Sequence, residues 1–186
     1  MKKLVMVFAI LFSSALFAGG YNIDGSHSKV GFKVKHMMIS SVNGSFDTFS
    51  GEIAYDTKAA KFTKLKGVVD AKSINTDNEK RDNHLRSPDF FDVNKYPNIT
   101  FDMIRQDGDK VYGKFTMHGV TKDIVLDLEI GGVIEDPWGN TRLGFSLSGK
   151  VDRTEYGVLW NKTLDKGGLT VGNDVKIQID IEAIAE

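Results

Sequence analysis

The stretch "HSKVGFKVKH", residues 27–36, decides the fold because apolar and lysine side chains alternate along it. Ser28, Val30, Phe32, Val34 and His36 fall on one face, and lysines occupy the other. Successive side chains of an extended chain point to opposite sides, so this spacing predicts a strand with one buried and one hydrated face.

The same alternation recurs along the rest of the chain and predicts seven further strands. Its phase reverses between Phe46 and Phe49, which predicts a bulge or bend at Asp47–Thr48. The stretches "DGDK" (107–110) and "EDPWGN" (135–140) have the composition of turns. The seven runs are 42–55, 65–71, 99–103, 111–117, 124–130, 143–151 and 175–181.

Eight strands with one apolar face each can form a closed up-and-down barrel or a two-sheet sandwich. The barrel is favoured, because a long bent second strand and glycines on inward positions suit the corners of a closed sheet. The inward glycines are Gly44, Gly51, Gly67 and Gly113. We therefore predict an all-β fold.

One segment departs from this period and predicts a short helix. Thr76 and Glu79 have the spacing of a capping box, and Pro88 ends the helical stretch. Leu85 is its only large apolar residue, so we expect the helix to lie across one end of the barrel. Phe90 and Phe91 follow in what we predict to be extended chain, with one ring facing the barrel and the other facing away.

The first residues have the layout of a secretory signal peptide. Lys2 and Lys3 precede an apolar run from Leu4 to Phe12, and small residues follow up to Ala18. This run is too short to span a bilayer, which takes roughly 20 apolar residues. We predict a signal peptide over residues 1–18, cleavage near Ala18, a periplasmic location and one mature domain over residues 19–186 without a transmembrane segment.

Composition and motifs argue against several function classes. Residues 19–186 carry 22 basic and 25 acidic residues, a net charge of −3, so we expect no nucleic-acid partner. The chain has no cysteine, which excludes thiol chemistry. No catalytic motif is present, and none of the four histidines lies three or four residues from another. We expect no enzyme activity, no cofactor and no metal, although histidines of separate strands could still meet.

Several segments carry a resemblance to a known family. "DGSHSKVGFKVKHMMISSVNGSFDTFSGEIAYD", "SINTDNEKRDNHLRSPDFFDVNKYPNITF", "MHGVTKDIVLDLEIGG" and "DPWGNTRLGFSLSGKVDRTEYGV" resemble, in order, the YceI family of exported bacterial proteins. The resemblance covers essentially the whole mature chain. It implies an eight-stranded antiparallel lipocalin-like barrel whose pore holds one polyisoprenoid or fatty-acid derivative, and often a homodimer.

The candidate site residues lie at the inward-facing positions of the predicted strands and in and after the predicted helix. Arg81 and Arg86 are candidates for an anionic head group, although a basic flank that only aids solubility fits them equally well. The rings could also simply fill the core of a ligand-free stress-response or protein-interaction module. The candidate lipid-binding residues are Phe32, Val34, His36, Met38, Phe46, Phe49, Phe90, Phe91, Phe101, Met103, Phe115 and Phe145.

Overall fold

Strands, one α-helix and two short 3₁₀ helices, Ala71–Ser73 and Arg153–Tyr156, make up the computed structural model, which describes residues 19–163 and 167–186. The predicted signal peptide and its cleavage site lie outside the described residues. No helix in the described ranges is long and apolar enough to cross a bilayer. The elements are β1 (Gly19–Ile23), β2 (Lys29–His36), β3 (Ser40–Phe46), β4 (Phe49–Asp56), β5 (Lys61–Asp70), β6 (Ile74–Asn75), α1 (Glu79–Arg86), β7 (Asn98–Asp107), β8 (Lys110–Met117), β9 (Val120–Glu135), β10 (Thr141–Asp152) and β11 (Val171–Ala185).

The sheet closes on itself as an antiparallel barrel. The ring runs β1–β4–β5–β7–β8–β9–β10–β11 and returns to β1. β1 and β2 pair with successive parts of β11, so together they form one interrupted barrel strand. β4 pairs with β1 and β3 pairs with β2, so β3 and β4 together form the next interrupted strand. The predicted eight-stranded barrel is confirmed, and β3 gives way to β4 at the predicted break, Asp47–Thr48. The short strands β1 and β6 were not predicted.

Strand direction gives the barrel two different ends. The turn 37–39, the segment 71–97 with α1, the turn 118–119 and the segment that begins at 153 lie at one end, which we call the helix end. The other end, which we call the closed end, is sealed by aromatic packing. Tyr21, Tyr55 and Phe62 are buried there. The Phe62 ring centre lies 4.9 Å from that of Tyr55 and 4.8 Å from that of Phe145.

Two inward glycines make room for rings of neighbouring strands. Phe32 pairs directly with Gly44, and a Cβ built on Gly44 would lie 2.4 Å from the ring. A Cβ on Gly113 would lie 2.4 Å from the ring of Phe101. Any larger side chain at these positions would therefore force the rings to shift.

Arg142 ties three elements together towards the closed end. Its guanidinium donates to Asp24 after β1, to Asp136 in the β9–β10 turn and to Glu182 on β11. Hydrogen bonds from Ser26, His27 and Arg142 hold the pKa of Asp24 well below its usual value. Burial alone would raise the pKa of Asp136, but hydrogen bonds from Arg142 and Asn140 lower it well below its usual value. Both carboxylates are therefore favoured in the charged form by folding.

We predict opposite effects of alanine at two inward glycines. Gly44→Ala should cost about 1–3 kcal/mol of unfolding free energy, because the new methyl overlaps Phe32. Gly67→Ala is the matched control, because its Cβ would meet nothing within 4 Å, and it should gain about 0.5–1 kcal/mol. Urea unfolding measures both, and equal effects would contradict this account of the glycines.

The Arg142 cluster predicts a pH-dependent contribution to stability. Because folding depresses the pKa of Asp24 and Asp136, their contribution is present above about pH 4 and is lost as pH falls through the folded-state values. The difference in urea midpoint between wild type and Arg142→Met should therefore shrink between about pH 5 and pH 2. His27 stays protonated in this range, since its hydrogen bond to Asp24 raises its pKa. Lys150→Gln, which removes an exposed ion pair on β10, should show little difference at any pH.

Candidate functional site

An apolar cavity of about 190 Å³ lies inside the barrel. Side chains from nearly every barrel strand form its wall, and the closed-end stack limits its depth at Phe145. The wall includes nine of the twelve predicted site residues, namely Phe32, Val34, Phe46, Phe49, Phe90, Phe91, Phe101, Phe115 and Phe145. The inward phases read from the sequence thus locate most of this wall.

Three predicted site residues lie outside the cavity wall. Met38 is 58% exposed in the β2–β3 turn, beside Ile39, which is 86% exposed. His36 is half-buried at the end of β2 and is not part of the wall, although its pairing partner Val171 is. Met103 shares the face of Phe101 and packs against the hydrophobic core without belonging to the cavity wall. The pairing of β7 with β8 shifts register only after Met103, so alternation predicts its face correctly.

The helix end is covered by α1, which begins differently from the predicted capping box. Asn78 is the N-cap and accepts a hydrogen bond from the backbone N–H of Arg81. Thr76 instead donates its backbone N–H and its hydroxyl to the buried carboxylate of Asp82. The Thr76–Asp82 contact therefore holds the first turn of the helix against β6.

We call residues 71–97, which include α1, the cover of the barrel. Arg81 and Arg86, which we predicted to bind a head group, donate to backbone oxygens of this cover. Arg81 donates Nε to the Thr76 hydroxyl, 2.7 Å away, and Nη2 to the Thr76 carbonyl oxygen. Arg86 donates to the carbonyl oxygens of Lys72 and Ile74 at 2.7 and 2.8 Å. Neither arginine belongs to the cavity wall. The geometry therefore favours a role in fixing α1 to the barrel over the head-group interpretation.

Phe90 and Phe91 lie in a turn, which corrects the prediction of extended chain with opposed rings. The backbone N–H of Phe90 donates to Ser87 and that of Phe91 to Leu85, so the chain folds back under α1. Both rings join the cavity wall. Phe90 is buried beside His84 and Trp160, whereas Phe91 is half-buried and meets Phe46 edge-on at 6.0 Å. The pair closes the cavity at the helix end.

Alternation as applied to the sequence missed Arg153, a buried charged residue of the cavity wall. It is 4% exposed and follows β10 directly. The inward positions of β10 are odd-numbered, from Leu143 to Val151, so the next inward position is 153. Continuing the alternation by two residues would have found it.

One cluster in the described residues brings three possible metal ligands together, Asp24, His27 and Glu182. Arg142 already donates to both carboxylates, and His27 binds Asp24 through Nδ1 at 2.9 Å. The guanidinium of Arg142 therefore already compensates the two carboxylates that a metal ion would need as ligands.

The fold and the sequence identify the family. Residues 21–183 match the YceI-like domain. The chain belongs to the YceI family. A UPF0312 protein of Staphylococcus aureus (strain N315) is 37% identical to this YceI chain over 163 residues, which are 87% of this chain and 95% of that protein.

Solved structures of other YceI-like barrels resemble this one. A Campylobacter jejuni YceI protein is 40% identical, with a TM-score of 0.69 over 88% of this chain and 96% of that one. A polyisoprenoid binding domain from Saccharophagus degradans has a TM-score of 0.69 at 18% identity, over 91% of this YceI chain and 99% of that one. At that identity the second likeness shows the fold alone.

Phe90 and Phe91 should contribute unequally to stability. Phe90→Ala should cost about 3–5 kcal/mol, because a buried ring between His84 and Trp160 is lost. Phe91→Ala should cost about 1–2 kcal/mol, because its ring is only half-buried. Urea unfolding of the two variants measures this, and equal large losses would mean that both rings are core plugs.

Proposed function

We propose that this protein is an exported, non-catalytic lipid carrier that holds one long-chain amphiphile in its barrel, for sequestration, storage or transport in the periplasm. The observation that carries the proposal is the apolar cavity beneath a separately anchored cover. A polyisoprenoid or fatty-acid tail has the chemistry that such a wall accepts. The polyisoprenoid-binding domain of the same fold supports this ligand class.

An apolar void of this size is costly when it is empty. At roughly 24 cal/mol per Å³, a cavity of about 190 Å³ costs roughly 4–5 kcal/mol. That is a large part of the roughly 5–15 kcal/mol that stabilises a typical protein. A barrel designed only to be filled by its own side chains would avoid this cost, so the cavity favours a carrier over the ligand-free alternative.

The cavity must widen to take a long tail. A cavity of roughly 150 Å³ holds benzene, whereas pockets for larger ligands span roughly 300–1,000 Å³. The required room can come from wall rings that are only half-buried, such as Phe32, Phe91 and Phe115. Each buried methylene then contributes about 0.8 kcal/mol, which favours displacement of these rings by a long chain.

The tail enters most easily at the helix end. The aromatic stack of Tyr55, Phe62 and Phe145 obstructs the closed end. At the helix end, the obstruction is α1 with the turn that follows it, which is bound to β6 and Lys72 by polar contacts of Thr76, Arg81 and Arg86 and to the cavity wall by the rings of Phe90 and Phe91. These contacts lie outside the strand pairing of the ring, so this end can open without disrupting the sheet.

Protein isolated from a periplasm should carry one amphiphile per chain. Native mass spectrometry followed by organic extraction would show one adduct mass and its identity. Gly67→Leu, which places a side chain where the cavity has room, should reduce the occupied fraction. Val68→Leu, at the neighbouring outward position, should leave occupancy unchanged. Bare protein in repeated preparations that also takes up no added polyprenol or fatty acid would refute the carrier function.

A further inference from the structure

Arg153 is a buried cation without a carboxylate partner among the described residues. Its side chain belongs to the cavity wall at the helix end and is 4% exposed. The adjacent Asp152 accepts hydrogen bonds from the backbone and hydroxyl of Thr154 and makes no ion pair with Arg153. Buried charges in proteins are normally paired, so this arrangement needs an explanation.

Backbone carbonyls satisfy only part of the Arg153 guanidinium. Nε donates to Gly172, Nη1 to Val158 at 2.6 Å and Nη2 to Val171 at a long 3.4 Å. A guanidinium has five N–H groups, so two have no acceptor within residues 19–163 and 167–186. These contacts fix the position of the Arg153 side chain and leave two of its N–H groups available to a ligand.

The charges of Arg142, Arg81 and Arg86 are compensated in other ways. Arg142 is bound by three carboxylates. Arg81 and Arg86 lie nearer the surface, where water can solvate their charge. Burial lowers the pKa of Arg153, while the charge of the neighbouring Asp152 acts in the opposite direction. An arginine nevertheless stays protonated in a protein, so the positive charge remains in the cavity wall.

We propose that Arg153 binds the anionic head group, a carboxylate or a phosphate, of the amphiphile held in the barrel. This inference rests on the proposed carrier function. The head lies at the helix end beside Val158 and Val171, and the tail extends towards Phe145 at the closed end. The ligand oxygen accepts from the guanidinium and supplies the missing negative charge, while the apolar wall binds the chain.

A buried Arg153 allows the barrel to select a ligand by the charge of its head group. An amphiphile with a neutral head leaves the buried cation uncompensated, whereas an anionic head forms a charge-assisted pair in a water-poor site. Both ligand types bury the same tail. The preference between them therefore reports on Arg153 and not on the wall.

The test compares ligands with the same tail that carry either an anionic or a neutral head group. Palmitate is paired with palmityl alcohol, and a polyprenyl phosphate with the polyprenol of the same length. The wild-type protein should bind one anionic ligand about tenfold or more tightly than its neutral partner. Arg153→Met should remove that preference, Arg153→Lys should restore part of it, and Arg81→Gln should keep it. The arm that shows the preference identifies the head as carboxylate or phosphate.

A second measurement keeps the test valid if Arg153→Met does not fold. In ¹⁵N–¹H spectra of the wild-type protein, the Arg153 Nε–H resonance, assigned with Arg153→Lys, should move with the anionic ligand and not with its neutral partner. Equal affinity for both partners with an unmoved resonance would overturn the role of Arg153 and leave the carrier function standing. Failure to bind any of the four ligands would overturn both.

Discussion

Pairing of β11 with both parts of the first barrel strand closes the sheet, and the remaining features follow from this closure. β11 pairs with β2 over residues 171–180 and with β1 over residues 183–185. Once the ring is closed, each of its eight strands has a partner on both sides, and an edge that is unpaired among the described residues is left along residues 40–44 of β3. Every second side chain then faces a shared interior of fixed circumference. Large rings opposite glycines, as at Phe32 and Gly44, line that interior without filling it.

Polar groups inside or against this barrel are compensated in three ways. Asp82 is buried and bound entirely within the cover by Thr76. Arg142 lies between strands and is paired with carboxylates, which fixes the ends of three elements. Arg153 is held by main-chain carbonyls. Arg142 has carboxylate partners, whereas Arg153 is a buried cation that has none among the residues that the structure describes, which is why it points to a ligand.

The sequence predicts the strands and the cavity wall well because both depend on a local period of two. Phe101 and Phe115 lie in the wall as their phase predicts. The period of two is lost only after Met103, where the pairing of β7 with β8 shifts register before Arg105. The sequence cannot show that Arg86 reaches back to Lys72, because that contact depends on how α1 packs on the barrel. Arg153 was missed for another reason, since its phase was visible but its charge suggested exposure.

The rigid stack at the closed end has a consequence for chain length. Phe145 rests on Phe62, which rests on Tyr55, so the floor of the cavity is fixed by packed rings. If the head of a ligand is held at the helix end, the fixed distance from the head to the floor of the cavity sets the chain length that fits. A chain that is too short leaves part of the void empty, and one that is too long must bend or protrude past the cover. The barrel would thus discriminate among homologous lipids by the number of carbons, independently of their head groups.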